Sequence, residues 1–142
     1  MDADFSHDPD DLERLRSACE RSPIVIGSRY IPGGRVEGWA KHRELLSRAA
    51  NVYARVFTRV PVHDLTGGFK CFRAEALRAL PLGEIRSEGY AFQIETTTRL
   101  FRAGFPPVEV PIVFRERRFG TSKISRNVVF EAIGVVLRLA FK

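Results

Sequence analysis

The stretch that most constrains this 142-residue chain is residues 63–73, HDLTGGFKCFR, in which a carboxylate, a hydroxyl and two glycines run straight into an apolar, basic segment. Gly67 and Gly68 let the backbone turn with φ > 0 or pass close to a bound group. Phe69 and Phe72 would then hold the following strand in a core. That places Asp64 and Thr66 at a strand edge. There they either hydrogen-bond their own backbone in a tight turn or face a ligand.

The length is that of one domain able to bury a sizeable core. Net charge of +6 and a pI near 9.9 suit a polyanionic partner, whether nucleic acid, an anionic membrane surface or a phosphorylated substrate. The charges are segregated: residues 1–20 carry seven acids and two bases, residues 115–126 five bases and one acid. One end suits a cation and the other an anion. Cys19 and Cys71, with no secretory signal ahead of them, argue against a disulfide framework and for a reducing cytosol. His7, His42 and His63 lack zinc-site spacing and read as polar surface or loop groups. No apolar run reaches the roughly 20 residues that span a bilayer.

Along the chain, Asp2 and Asp4 lie two apart, so an extended segment would put both on one side, able to share a hard cation such as Mg²⁺ or Mn²⁺. The alternative is a solvated helix start, with Asp8 as N-cap and Pro9 at the first helical position. Leu12, Leu15, Ala18 and Cys19 predict a helix over 9–21. Strands are expected at about 23–28, 68–73 and 107–114, the last marked as an edge by Pro106, Pro107 and Pro111. GSRYIPGG at 27–34 is a loop whose strong cation is Arg29.

Residues 41–59 show an apolar stripe at helical spacing, and Arg43, Ser47 and Asn51 repeat every four residues on another face. That polar face either looks into a site or is simply wet. Residues 87–104 predict a helix closed by Gly104. Within it, Glu95 either positions a substrate hydroxyl or, the preferred reading, forms a structural salt bridge. RERRFGTSK at 115–123 is a cationic loop in which Arg117 and Lys123 suit a phosphate. A nucleic-acid partner is disfavoured, because this loop brings Phe119 as its one aromatic and no recognition helix. A terminal amphipathic helix at about 124–141 either packs on the sheet or lies in a bilayer surface.

Four stretches in order, MDADFSHDPD, GSRY with Trp39 and Arg43, DLTGGFKCFR with GYxFQxE, and FxxRxxGxSK, resemble those of polyprenol-phosphate (dolichol-phosphate) mannosyltransferases, GT-A-type family-two glycosyltransferases. The resemblance implies Asp2 and Asp4 as metal and donor ligands and Arg29 beside the donor diphosphate. It implies Arg43, Ser47, Arg117 and Lys123 at the acceptor phosphate, with Asp64 also in the catalytic set. Where relatives often carry a metal-assisting Gln two residues beyond the second Asp, this chain has Ser6.

The fold so implied is α/β, a partial GT-A (Rossmann-like) fold lacking its N-terminal nucleotide-binding half, with residues 1–142 as its acceptor-side part. The implied function is metal-dependent, inverting transfer of mannose from GDP-mannose to a polyprenyl (dolichyl) monophosphate by a peripheral enzyme on the cytoplasmic membrane face. A partner supplying the missing half or an anchor would complete it. Two alternatives stand beside this reading: a sibling enzyme using another sugar donor, and a non-catalytic membrane- or partner-binding remnant.

Overall fold

The computed structural model describes residues 4–116 and 126–141. Its elements run α1 (Asp11–Cys19), β1 (Ile24–Ser28), β2 (Arg35–Glu37), α2 (Lys41–Thr58), β3 (Lys70–Phe72), α3 (Ala74–Ala79), a single 3₁₀ turn, α4 (Gly89–Arg102), β4 (Pro107–Pro111), β5 (Val113–Arg115) and α5 (Arg126–Ala140). The main sheet has the order β3-β1-β4. In it β1 runs antiparallel to β3, with Ile24 opposite Phe72, and parallel to β4, with Ser28 opposite Pro111.

Every residue of β1 is buried, as its continuous apolar run requires of a central strand covered on both faces. Because successive side chains point to opposite faces, Ile24 and Ile26 enter a core with Ala54, Ile94, Leu100 and Val136 from the helices on one side. Val25 points the other way, against Leu15 and Cys19 of α1 and against Phe69 and Ile112. Each such Ile or Leu, fully buried, contributes about 1.5–3 kcal/mol. The result is three layers: α1, the sheet, and a helical layer that includes α2, α4 and α5.

The strand expected over 107–114 is broken at Ile112, and the reason is a change of partner. Ile112 N–H still donates to Ser28 O of β1 at 3.0 Å, but its carbonyl accepts Arg35 N–H at 3.1 Å. The chain thereby passes from the main sheet to a second, two-stranded one, β2 parallel to β5, with Glu37 opposite Arg115. The polar triplet of β2 carries no strand pattern of its own. As expected, β4 is an edge strand with prolines at its ends.

Helix α1 starts later than expected: Asp8 closes a turn, its Oδ1 accepting Asp10 N–H at 3.0 Å, instead of capping the helix. Gly104 ends α4 as expected, at φ +91° with its N–H on Phe101 O. α5 falls within its expected bounds.

Two local expectations are corrected. Gly67 and Gly68 do not take positive φ, and Gly67 instead passes within contact of the Asp64 carboxylate. His7 is in a loop but buried, its ring 4.8 Å from Phe69 and 5.2 Å from Phe114. Along α2, Leu45 is 69% and Val56 62% exposed, while Asn51, Ala54 and Thr58 are buried. Both cysteines are free thiols, and burial beside Cys71 pushes the Cys19 thiol up to about 12.

Candidate active site

The polar centre forms where β1 ends. The backbone N–H and Nε of Arg29 donate to Asp64 Oδ2 at 3.0 and 2.7 Å, and Nη2 donates to Asp64 Oδ1 at 2.7 Å and to Thr66 Oγ1 at 2.9 Å. Arg29 is 4% exposed and Asp64 not at all. Burial works against the guanidinium charge, yet the hydrogen bond and charge of Asp64 more than offset it, so the Arg29 pKa is raised. The rings of Tyr30, Trp39 and Phe114 surround the cation at 5.0–5.6 Å.

Two further side chains fix this pair. Asn51 on α2 grips Thr66 twice, Nδ2 donating to Oγ1 at 3.0 Å and Oδ1 accepting the backbone N–H at 3.1 Å. Glu109 on β4 accepts the N–H groups of His63 and Asp64 on one oxygen, at 2.9 and 3.0 Å. With Arg29 and Asn51 both donating to Thr66 Oγ1, its own proton is directed to Asp64 Oδ1, 3.4 Å away. The turn chemistry expected of Asp64 and Thr66 is therefore tertiary, not local.

Beside this centre lies a groove of about 280 Å³ between α2, α4 and α5. Leu46, Tyr53, Ile94, Val129, Ile133 and Val136 give it an apolar wall, and Arg43, Ser47 and Thr66 give it polar lining. The face of α2 that could have been merely wet thus lines this groove through Arg43 and Ser47. Ser47 Oγ is 2.6 Å from Tyr30 Oη. Arg43 lies over the Trp39 ring at 4.0 Å, and its Nη1 donates to both carboxylate oxygens of Glu116 at 2.9 and 3.0 Å.

The sequence-predicted residues are distributed as follows. Arg29 and Asp64 form one buried pair, so the loop cation is neither a surface arginine nor free to bind a ligand with its whole fork. Arg43 and Ser47 line the groove together. Asp4 is partly buried, with Oδ1 accepting Ser6 N–H at 3.1 Å. Its segment is held to the far end of β5, where Ser6 O accepts Arg115 N–H at 3.0 Å. Asp2, Arg117 and Lys123 lie outside the described residues.

Among the described residues no three His, Cys, Asp or Glu side chains cluster as a metal site, and both oxygens of Asp64 are engaged by Arg29. Asp4 is still a hard oxygen donor of the kind Mg²⁺ or Mn²⁺ takes. Glu95 has the structural role preferred for it, 4% exposed and bonded to Arg99 at 2.8 Å and Ser87 at 2.6 Å. Sequence reasoning missed Glu109, Glu116 and Lys70. Lys70 Nζ donates to Gln93 O and Thr97 Oγ1, both at 2.9 Å. Burial pushes its pKa down to about 7 against the pull of Asp64.

The glycosyl transferase family 2 model matches residues 1–80, which include the Asp4 segment, Arg29, Arg43, Ser47 and Asp64. The chain belongs to glycosyl transferase family 2. Its mixed α/β layers are those of a partial GT-A fold. This family 2 chain is 46% identical over 134 residues to a polyprenol monophosphomannose synthase of Mycolicibacterium smegmatis, covering 94% of the chain and 51% of that relative. To an undecaprenyl-phosphate mannosyltransferase of Micrococcus luteus it is 44% identical over 138 residues, covering 97% of the chain and 57% of the relative. The chain spans about half the length of these curated relatives.

Proposed function

We propose that the chain is the acceptor-side part of a glycosyltransferase that moves mannose from GDP-mannose to a polyprenyl monophosphate. The observation that carries this reading is the groove: an apolar wall contributed by three helices, with a cation and a hydroxyl among its lining. That combination fits an amphiphile with an isoprenoid tail and a phosphate head. The names of the two relatives agree with it on sugar and acceptor.

Mechanistically, the acceptor supplies its own nucleophile. A phosphate monoester has its second pKa near 6, so near neutral pH an anionic oxygen attacks the anomeric carbon without a general base. The new bond is phosphate oxygen to C1. The broken bond is C1 to the donor's β-phosphate oxygen, which leaves with its electron pair as GDP, and the anomeric centre inverts.

Arg43 and Ser47, with Arg117 and Lys123, orient the acceptor phosphate for in-line attack. Asp64 and Arg29 fix the positions of Thr66 and Tyr30 beside it. Asp2 and Asp4 are the residues that would hold Mg²⁺ or Mn²⁺, which when bound offsets charge on the donor diphosphate. No helix among the described residues is long and apolar enough to cross a membrane. Instead α2 and α5 pack together, and Leu45, Val52 and Val56 of α2, Phe130 of α5 and Phe141 just beyond it are exposed apolar side chains suited to entering the lipid that holds the acceptor.

The test is a chimera in which this chain replaces the matching stretch of the M. smegmatis relative, assayed for radiolabelled mannose passing from GDP-mannose into a solvent-extractable polyprenyl phosphate. Transfer to the phosphate but not to the free polyprenol is expected, and Asp4→Asn should abolish it. A folded chimera that labels neither lipid, or that prefers another sugar nucleotide, would contradict the reading.

A further inference from the structure

The two cysteines take no part in the site described above, and the sequence argues against a standing disulfide between them. The fold brings them to one place. In β3, Cys71 stands directly opposite Val25 of β1, and directly opposed residues send their side chains to the same face. Val25 points toward α1, in a cluster with Leu15, Cys19 and Phe69. Cys71 faces α1 as well, and it packs against that same cluster.

The backbone of Cys19 is held from the strand that carries Cys71. Arg73 lies two residues further along, still extended, and its N–H continues the ladder onto Pro23 O at 2.9 Å. Its side chain donates from Nε to Cys19 O at 2.7 Å and from Nη2 to Glu20 O. The last turn of α1 is thereby tied to β3 within one residue of the thiol. Burial first, and the hydrogen bond with Cys71 second, push the Cys19 thiol up to about 12. The two thiols differ in access: Cys19 is buried, and Cys71 is partly exposed.

We infer that Cys19 and Cys71 form a reversible redox site, in which oxidation by hydrogen peroxide joins them in a disulfide that fastens the end of α1 to β3. The inference goes beyond the acceptor reading and does not depend on it. Exposure sets the order of events. The Cys71 thiolate attacks one peroxide oxygen, the O–O bond breaks, the first water leaves, and Cys71 becomes a sulfenic acid. The Cys19 sulfur then gives up its proton and attacks the Cys71 sulfur. The S–O bond breaks, the second water leaves, and the S–S bond forms. Two thiols lose two electrons, and one hydrogen peroxide gains them. A buried thiol is a poor nucleophile toward solutes, but here its target is held against it, and proximity makes up for a small thiolate fraction.

The link closes a loop of about 50 residues, which constrains the unfolded chain more than the folded one. Helix α1 follows the segment of Asp4, and β3 follows the turn of Asp64 and Thr66, so oxidation ties together the stretches on either side of the polar centre.

The experiment exposes the dilute chain and its Cys19→Ala and Cys71→Ala variants to hydrogen peroxide, then blocks the remaining thiols with iodoacetamide in denaturant and digests with trypsin. Cleavage after Arg16, Arg21, Lys70 and Arg73 releases residues 17–21 and 71–73. In the oxidised parent these should appear as one linked species, lighter by two hydrogens than the separate peptides, and dithiothreitol should part them. Cys19→Ala should stop at a Cys71 sulfenic acid that dimedone traps, and Cys71→Ala should keep Cys19 as a thiol. The thermal midpoint of the oxidised parent should rise by about 10 °C over the reduced form, with no rise in either variant; the same unfolding curves check that both variants fold. Recovery of both parent peptides as separately blocked thiols overturns the inference. So does a link that joins two chains on a non-reducing gel, or a linked chain that unfolds no higher than the reduced one.

Discussion

At the scale of single residues the molecule turns on Arg29 and Asp64. Two opposite charges out of water are favourable only because the geometry is bidentate and the remaining valences are met by Thr66 and the Arg29 backbone. Removing one partner leaves the other buried and uncompensated. Arg29→Met should therefore destabilise the chain by about 3–5 kcal/mol in urea unfolding, whereas Arg35→Met, which breaks an exposed pair with Glu37, should cost under about 1 kcal/mol. Equal losses would mean that Arg29 is an ordinary surface cation. The pairing was not legible in the sequence. Arg29 stands in a Gly- and Pro-containing loop and its partner is 35 residues away, so local pattern favoured a solvated arginine and the family resemblance a donor ligand. In the sequence Asp64 reads as a carboxylate presented at a strand edge. What the sequence could not give was the burial that turns it into a positioning group.

At the scale of elements, the periodic signals found the helices and strands well, because each long segment has one dominant apolar spacing. They left open which side of α2 faces in. The stripe containing Leu45, Val52 and Val56 is the more apolar face, yet the buried residues are Asn51, Ala54 and Thr58. Polar residues are tolerated inside because each is satisfied: Asn51 by Thr66 and Ser47, Thr58 Oγ1 by Ala54 O at 2.7 Å. Periodicity measures the contrast between faces, not which one the rest of the chain covers.

The seam between β3 and α4 gives a further test. Lys70 lies there with its pKa pushed down to about 7, so between that value and the ordinary Lys value near 10.4 the unfolded chain binds a proton that the folded chain does not. Stability then rises with pH across that interval, and below about 7 the full penalty of charging the buried amine is present. Unfolding free energy followed from pH 7 to 10 should climb, and Lys70→Met should remove that component of the slope. A Lys70→Met curve parallel to the parent's would show that the amine titrates as in water.

At the scale of the whole molecule, three features converge on one purpose. The acidic segment around Asp4 is tied to β5, the buried pair organises the end of β1, and the groove opens between helices whose outer faces are apolar. The segregation of charge seen in the sequence is here a matter of placement: Arg115 pairs with Asp8 at 3.6 Å and with Glu37 at 3.4 Å, at the start of the basic stretch. In the function proposed above, the groove with Arg43 holds the lipid phosphate, tail along the helices and head on the cation.

The most direct measurement is the affinity of the chain for farnesyl phosphate compared with farnesol and with inorganic phosphate, before and after the groove is narrowed by Ala50→Phe. Ala50 lines the groove from an exposed position on α2, so a larger side chain there can block the lipid without disturbing the core. Farnesyl phosphate should bind at least about tenfold more tightly than either half-molecule, a difference of about 1.4 kcal/mol, and Ala50→Phe should erase that advantage at unchanged stability. Equal binding of inorganic phosphate, or an Ala50→Phe chain that holds farnesyl phosphate as tightly as the parent, would contradict the claim.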